Sequence, residues 1–374
     1  MAGVYVHIPF CKQRCIYCDF YSTTQMHLRD HYVEMLVAEA RHRNNEIKQP
    51  FTTMYWGGGT PSQLGNGLMR DLSNGLWSAL NLTDLHEFTV EVNPDDVTHE
   101  LIDTLVDMGV NRVSMGVQSF VDDELRLIRR RHDAQRAIDA VDVMRAHGID
   151  NISIDLIYGI PGQTTDTWKF SVDKAIEMNV QHISAYNLSY EAGTLLWRQR
   201  QQGELTEVDD ETCVTMYLML VNALKQAGFE HYEISNFALP GFYSRHNSAY
   251  WNGTPYLGLG AGAHSYDGQV RRYNIADLQG YLHHIIDQNV AYQEENLTIQ
   301  EQYDETVMLA LRTARGLDTA IIHDRYGQAA YDYLMRQARP HIEAGRLSAQ
   351  GGQLRLAPES VMVADDIISD LFLA

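Results

Sequence analysis

Val4-Tyr5-Val6-His7-Ile8-Pro9-Phe10-Cys11-Lys12-Gln13-Arg14-Cys15-Ile16-Tyr17-Cys18 is the stretch from which the chain is best read. An apolar strand candidate over 4–8 runs straight into a loop that holds three of the four cysteines. Their spacing is three residues and then two. Thiolates that close together can take three corners of an iron–sulfur cube and leave the fourth iron open to an outside group. Structural zinc is the rival, but it normally takes four closed ligands. The loop has no fourth cysteine, and His7 is a conceivable substitute. A disulfide framework needs even pairing and an oxidising setting, and this cluster suggests neither. Cys213 lies far away in a helical stretch with Met216 and Leu218, and reads as a buried core thiol.

Outward from that loop, the 374 residues allow two or three domains, or one large barrel with an appendage. Hydrophobic residues at 45% and charged residues at 21% form an ordinary globular mix, ample for a core. Lys plus Arg number 29 against 49 Asp plus Glu, a formal charge of −20. Such a surface repels phosphate backbones, so no nucleic-acid partner is expected. No run of about 18 apolar residues occurs, so no integral membrane segment is expected. The start, Met1-Ala2-Gly3-Val4-Tyr5, has neither a basic region nor a long apolar stretch. No signal peptide is expected there, and the expected location is cytoplasmic, in the reducing cytosol.

Strand candidates at 4–8, 53–56, 88–92, 112–117, 152–157 and 183–188 alternate with stretches of helical spacing. The first such stretch has Tyr32, Leu36 and Ala40; others cover 69–80, 101–108, 137–144 and 168–178. Gly109, Gly148 and Asn179 fall where helix C-caps belong. Six β-then-α units predict an α/β fold, a parallel sheet with helices outside. Six falls short of the eight of a closed barrel. The expectation is therefore an open, TIM-like partial (β/α)6 barrel, with a flat doubly wound sheet as the competitor. In either case ligands belong at the carboxyl ends of the strands. The unusual residues fall there: the cysteine loop, Gly57-Gly58-Gly59, Asn93-Pro94, Gln118-Ser119 and Gly159-Ile160-Pro161-Gly162.

After Gly193 the regular pattern fades. A helix over 210–227 precedes a tract rich in glycine and aromatics at 232–273, then a helical region over 275–337. A further helix, a hairpin about Gly351-Gly352 and a short helix close the chain, resembling a small winged-helix unit. Residues 331–374 hold six acidic side chains against four arginines, so the wing is no basic DNA reader. The expected division is a core at 1–230 and a mainly helical C-terminal domain at 231–374.

The Cys-x3-Cys-x2-Cys spacing resembles the signature of the radical S-adenosylmethionine (radical SAM) enzymes. The context Tyr5-Val6-His7-Ile8-Pro9-Phe10-Cys11 narrows the resemblance to the family of the oxygen-independent coproporphyrinogen III oxidase, and it covers most of the chain. The resemblance implies a [4Fe–4S] cluster on Cys11, Cys15 and Cys18. Its open iron would chelate the methionine amine and carboxylate of S-adenosylmethionine, and reduction would yield a 5′-deoxyadenosyl radical. By the same resemblance Gly58, Gly59 and Thr60 lie against the methionine amine, and Glu91 is the carboxylate of the third strand. Gln118 and Asp155 would face the ribose. Arg130, within Arg129-Arg130-Arg131, would fork the carboxylate, which suits a guanidinium. Tyr5 and Tyr17 would flank the cluster near the cofactor, and Gly159-Ile160-Pro161-Gly162-Gln163 would meet adenine by its backbone. Taken alone, these residues have blander readings: a triple glycine marks a tight turn, a lone Glu is solvated, and an arginine run is a solvated helix face.

Two departures from the oxidase pattern matter. Phe20 stands where the oxidase has a fourth cysteine, and only ten residues precede Cys11. Both features match a sister group, the HemW-type haem chaperones. Its His-Asn-x-x-Tyr-Trp signature reads here His246-Asn247-Ser248-Ala249-Tyr250-Trp251. An imidazole can ligate haem iron axially, and Tyr250 and Trp251 offer flat faces for a porphyrin. A histidine near aromatics is also a common structural residue. Gly258-Leu259-Gly260-Ala261-Gly262-Ala263-His264 reads as a glycine-rich strand and turn lining the cavity. His283-His284 reads as a solvated helical pair, and Tyr281, Tyr292 and Tyr303 as packing.

The function so implied is a haem chaperone that binds haem and transfers it to an acceptor haemoprotein, using the cluster and S-adenosylmethionine. The alternative is a radical SAM oxidoreductase acting on a tetrapyrrole; a zinc-stabilised binding module is the third. No catalytic residue is assigned, and a homodimer is compatible with such loading.

Overall fold

Along six successive strands the side chains alternate, polar then apolar, and this alternation organises the molecule. The strands are β1 (Ala2–Ile8), β2 (Phe51–Gly58), β3 (Glu87–Val92), β4 (Arg112–Gln118), β5 (Ile152–Tyr158) and β6 (His182–Asn187). In this computed structural model, which describes residues 1–286 and 292–373, they pair in parallel in the order of the sequence. Register aligns Tyr5 with Tyr55, Tyr55 with Thr89, Glu91 with Ser114, and Asp155 with Ser184. Neighbours in register share a face, so one face is polar throughout. The other carries Val6, Trp56, Val90, Met115 and Ile154, which join helix residues such as Leu36, Leu72, Leu105, Val141 and Val172 in one core.

The sequential strand order decides against the doubly wound competitor. A doubly wound sheet reverses its order at a switch point and needs helices on both faces. Here every crossover runs the same way, so the helices cover one face and the polar face is left for a ligand. The barrel is not closed. Antiparallel strands extend both edges: β7 (Glu230–Glu233) and β8 (Asn236–Ala238) beyond β6, and β9 (Tyr256–Leu259), β10 (His264–Tyr266), β11 (Val270–Asn274) and β12 (Tyr292–Asn296) beyond β1. Of these, β9 alone pairs parallel, with β1.

Local signals set the helix ends. Thr98, Asp133 and Thr164 cap their helices with side-chain oxygens. Gly109, Gly148 and Asn179 take left-handed φ values of +85°, +84° and +52° after them. Two findings differ from the sequence-based expectations. The aromatic tract builds β7 to β11, whose three to five residues are too short to display a period. The region read as helical over 275–337 is interrupted by β12, whose side chains are all exposed and therefore carry no apolar alternation.

A second core gathers Tyr303, Leu311, Leu334, Leu354 and Leu371. It packs the helices Ile299–Leu311, Thr319–Tyr326, Gln328–Glu343 and Ala364–Ser369 on a small sheet, β13 (Leu317–Asp318), β15 (Gln353–Leu356) and β14 (Leu347–Gln350). The hairpin turns on Gly351 and Gly352, both at positive φ, as a two-residue turn requires. Among the described residues no helix is long and apolar enough to cross a membrane. His283 is exposed, while the side chain of His284 lies outside the described residues. Tyr281 and Tyr303 are buried as packing residues; Tyr292 instead lies 43% exposed on β12, beneath the Arg272 guanidinium.

Candidate functional site

The cysteine loop leaves β1 and is stitched to the turn after β2. Gly59 N donates to Ile8 O at 2.8 Å, and Thr60 N to Phe10 O at 2.9 Å. Cys11 N and Thr23 N close the loop's neck on Thr23 O and Pro9 O. Deeper support comes from Ile16, which is buried with Ile128, Ile157, Ile160, Leu188 and Leu196 in a small apolar cluster. The loop is irregular in secondary structure, yet both its ends and its middle are fixed.

The triple glycine is explained by what surrounds it. A Cβ on Gly57 would lie 2.8 Å from the Glu91 carboxyl carbon, so Glu91 occupies that space. Gly58 has φ +106°, and a Cβ there would lie 2.4 Å from the His7 ring. Glu91 accepts hydrogen bonds from the Tyr55 hydroxyl at 2.7 Å and from Gly58 N at 3.2 Å. Burial pushes its pKa up to about 7, against the lowering effect of the Tyr55 bond, and nearby Asp155 adds to the rise. Burial likewise raises Asp155 to about 6, opposed by its bond with Ser184.

Above this floor opens a cavity of about 430 Å³. Cys11, Cys15, Cys18, Tyr17, Gly58, Gly59, Thr60, Glu91, Gln118, Arg130 and Asp155 all line it. Tyr5 does not; its hydroxyl turns to His7 Nδ1 at 3.1 Å beneath the cavity. The Gly159–Gln163 backbone is also outside the lining. All three arginines of the run line the cavity, but Arg129 is exposed and Arg131 pairs with Asp95 and Asp96, while Arg130 reaches the cysteine loop. Arg130 donates to Asn93 Oδ1 and Gly116 O, and Nη1 lies 3.5 Å from Cys15 Sγ. Its Nε is buried with no partner among the described residues, a donor left for a ligand. Gln118 is buried at φ +71°, a backbone conformation rare outside glycine.

Three thiols on one wall suit a cube, which takes one thiolate at each of three corners. Among the described residues no three His, Cys, Asp or Glu side chains converge on a single point, as one metal ion would require. Both ring nitrogens of His7 are engaged, one by Tyr5 and one by Tyr21 O at 2.9 Å. Burial raises the thiols of Cys11 and Cys18, the latter to about 11, and the Arg130 guanidinium supplies an opposing positive field at Cys11.

His246 lies at the opposite end of the strands from the cavity, 1% exposed. Its helix, Arg245–Trp251, begins against β3: the Glu87 carboxylate accepts from Arg245 N and His246 N at 2.8 and 2.9 Å. His246 Nδ1 lies 2.9 Å from Thr53 Oγ1, and Nε2 lies 2.9 Å from the Tyr250 hydroxyl. Its ring stacks on Tyr55, with centroids 5.3 Å apart. Burial, with the Arg112 charge, lowers its pKa to about 3, so it is neutral. The sequence expectation makes His246 a haem ligand; in this arrangement neither nitrogen is open to a metal.

The radical SAM superfamily model matches residues 5–175, and the HemN C-terminal domain model matches residues 297–363. Heme chaperone HemW of Bacillus subtilis is 36% identical, with 88% of each chain covered. Heme chaperone HemW of Mycobacterium tuberculosis is 34% identical over 99% of this chain and 94% of its own.

This chain belongs to the HemW family.

A solved structure, the coproporphyrinogen III oxidase HemN of Escherichia coli, described as a radical SAM enzyme, superposes with a TM-score of 0.86 at 25% identity. It covers 99% of this chain and 90% of the oxidase. A radical SAM domain in a HemW-family chain implies a [4Fe–4S] cluster and S-adenosylmethionine, and the donor set and the free Arg130 Nε fit both.

Sequence reasoning missed the Tyr186–Ser189 segment, which lines the cavity where β6 ends. The strand-end rule that located the other loops could have found it. Asn93 and Ser114 also line the cavity. Arg112 gave no signal; it is 1% exposed on the polar face, with Nε and Nη1 unpartnered among the described residues.

Proposed function

We propose that this chain binds haem and passes it to an acceptor haemoprotein, with the cluster and S-adenosylmethionine seated in the cavity at the strand ends. The kinship with HemW chaperones over nearly the whole chain carries this reading. When bound, the reduced cluster supplies the electron for cleavage of the sulfonium. The chain's own residues would do the rest. Cys11, Cys15 and Cys18 hold three irons. Arg130 forks the methionine carboxylate, while Glu91, Gln118 and Asp155 receive the amine and the ribose hydroxyls. Tyr17 covers the cluster.

His246 enters through Tyr250. The imidazole accepts or donates at the Tyr250 hydroxyl and so fixes that ring and the helix behind it. The oxidase reading rests on the HemN superposition, but Phe20 stands, 64% exposed, at the cavity rim where that pattern has a cysteine.

The test is a haem titration of anaerobically reconstituted protein, followed at the Soret band, for wild type and His246→Ala. We expect saturable binding in wild type and about tenfold weaker binding in the variant, the order of a lost hydrogen bond to a buried partner. A loss of low-spin character in the variant would instead make His246 the direct ligand. A parallel incubation with coproporphyrinogen, S-adenosylmethionine and dithionite should yield no vinyl product; stoichiometric product would replace the chaperone reading with the oxidase one.

A further inference from the structure

A second cavity, of about 520 Å³, lies where the first sheet meets the second core. It is within the size range of small-molecule sites. One wall is aromatic. Tyr250 meets Tyr256 edge to face at 4.7 Å, Tyr256 meets Tyr266, and Trp251 completes the wall. Trp251 Nε1 is buried there without a hydrogen-bond partner among the described residues. The facing wall is apolar in part, with Leu309 and the exposed Ile321.

The rim carries more positive than negative charge. Arg271 is matched by Glu305 at 2.7 Å. Arg315 and Arg325 are exposed, and among the described residues neither makes an ion pair. Three arginines face two carboxylates, Glu305 and Asp318, in a chain whose formal charge is −20. Free guanidinium groups beside a flat aromatic wall suit a flat, largely apolar ligand that bears carboxylates at one edge. Haem has that shape and that charge.

We propose that haem binds in this groove, its ring along Tyr250, Trp251 and Tyr256 and its two propionates on Arg315 and Arg325. This rests on the haem reading above and adds its location and its recognition chemistry. The groove is distinct from the cysteine cavity, so haem and S-adenosylmethionine can be bound together. It also explains the placing of the His-Asn-x-x-Tyr-Trp motif: the last two residues face the ligand, and His246 braces them from inside the sheet.

The experiment compares wild type with the double variant Arg315→Gln, Arg325→Gln, using haem and its dimethyl ester as probes in Soret titrations of the full chain. Both positions are exposed, so the variant should fold, and unchanged S-adenosylmethionine binding by the reconstituted protein verifies it. We expect the variant to bind haem at least about tenfold more weakly than wild type, and both proteins to bind the ester equally weakly. Saturable haem binding in wild type with an unchanged affinity in the variant would overturn the groove and leave the haem reading standing. A variant that weakens haem and ester alike would overturn the propionate contact. No saturable haem binding in wild type would overturn both.

Discussion

Glu91 sits between opposing pressures. Burial and Asp155 favour its neutral form, whereas the Tyr55 hydroxyl, Gly58 N and the more distant Arg112 charge favour its anion. The balance at about 7 places the proton transition in the working range. A carboxyl whose native pKa is raised stabilises the fold fully below its unfolded value, and that contribution is lost as pH rises through about 7. Ligand binding runs the other way, because the anion accepts hydrogen bonds from the N–H groups of the bound amine more strongly than the neutral acid does. S-adenosylmethionine should therefore bind about tenfold more tightly at pH 8 than at pH 6, the order of a charge-assisted bond. Calorimetric titration across that range should show the slope in wild type and a flat profile in Glu91→Gln; an equal slope in both would remove Glu91 from amine recognition. At this scale the cavity residues were legible in the sequence where chemistry is local. Three thiols within eight residues need no tertiary information, whereas Glu91 alone reads as a solvated carboxylate and was picked out by the family resemblance. His246 was legible as a motif but not as a place, because its partner Thr53 is 193 residues away. Tyr5 follows from the same alternation that puts it on the polar face, but it lies too far below the strand end to reach the cavity.

The six parallel strands were legible because a face packed on helices must read Val6, Trp56, Val90, Met115 and Ile154 at every second position. The edge strands were not, since β9 to β11 depend on a buried polar joint that looks like ordinary surface charge in the sequence. Glu39 and Arg43 lie one turn apart on the helix Arg29–Arg43, at 0% and 2% exposure. Glu39 accepts from Arg43, Gly260 N, Asn274 Nδ2 and the Tyr281 hydroxyl. Arg43 donates to Gly258 O, Ser265 Oγ and Glu46. One ion pair therefore fixes the first helix to β9, β10, β11 and the helix after them. Glu39→Leu would leave Arg43 with Glu46 as its one carboxylate and take the acceptor from Gly260 N, Asn274 Nδ2 and the Tyr281 hydroxyl, and removing one partner of a buried pair costs about 3–5 kcal/mol. We expect urea unfolding to begin at markedly lower denaturant in that variant. The double variant Glu39→Leu, Arg43→Met should recover much of the loss; equal midpoints for the single variant and wild type would show that the joint carries no stability.

At the scale of the whole molecule, the two cavities are joined by a continuous line of contacts. Tyr250 walls the groove and bonds His246; His246 stacks on Tyr55; Tyr55 bonds Glu91; and Glu91 holds Gly58 at the edge of the cysteine cavity. A shift of Glu91 on binding an amine thus reaches Tyr250 through two hydrogen bonds and one ring contact. Coupling between sites is a free energy and is reciprocal. If this line transmits it, S-adenosylmethionine should change the haem dissociation constant, and haem should change that of S-adenosylmethionine by the same factor, about 5-fold or more. Tyr55→Phe keeps the ring that stacks on His246 and removes only the hydroxyl that meets Glu91. In that variant the factor should fall towards one while each ligand, titrated alone, binds nearly as before. Independent titrations in wild type would mean that the two sites do not communicate at equilibrium. A factor undiminished in Tyr55→Phe would place the communication elsewhere, with the contact between the first sheet and the second core as the remaining route.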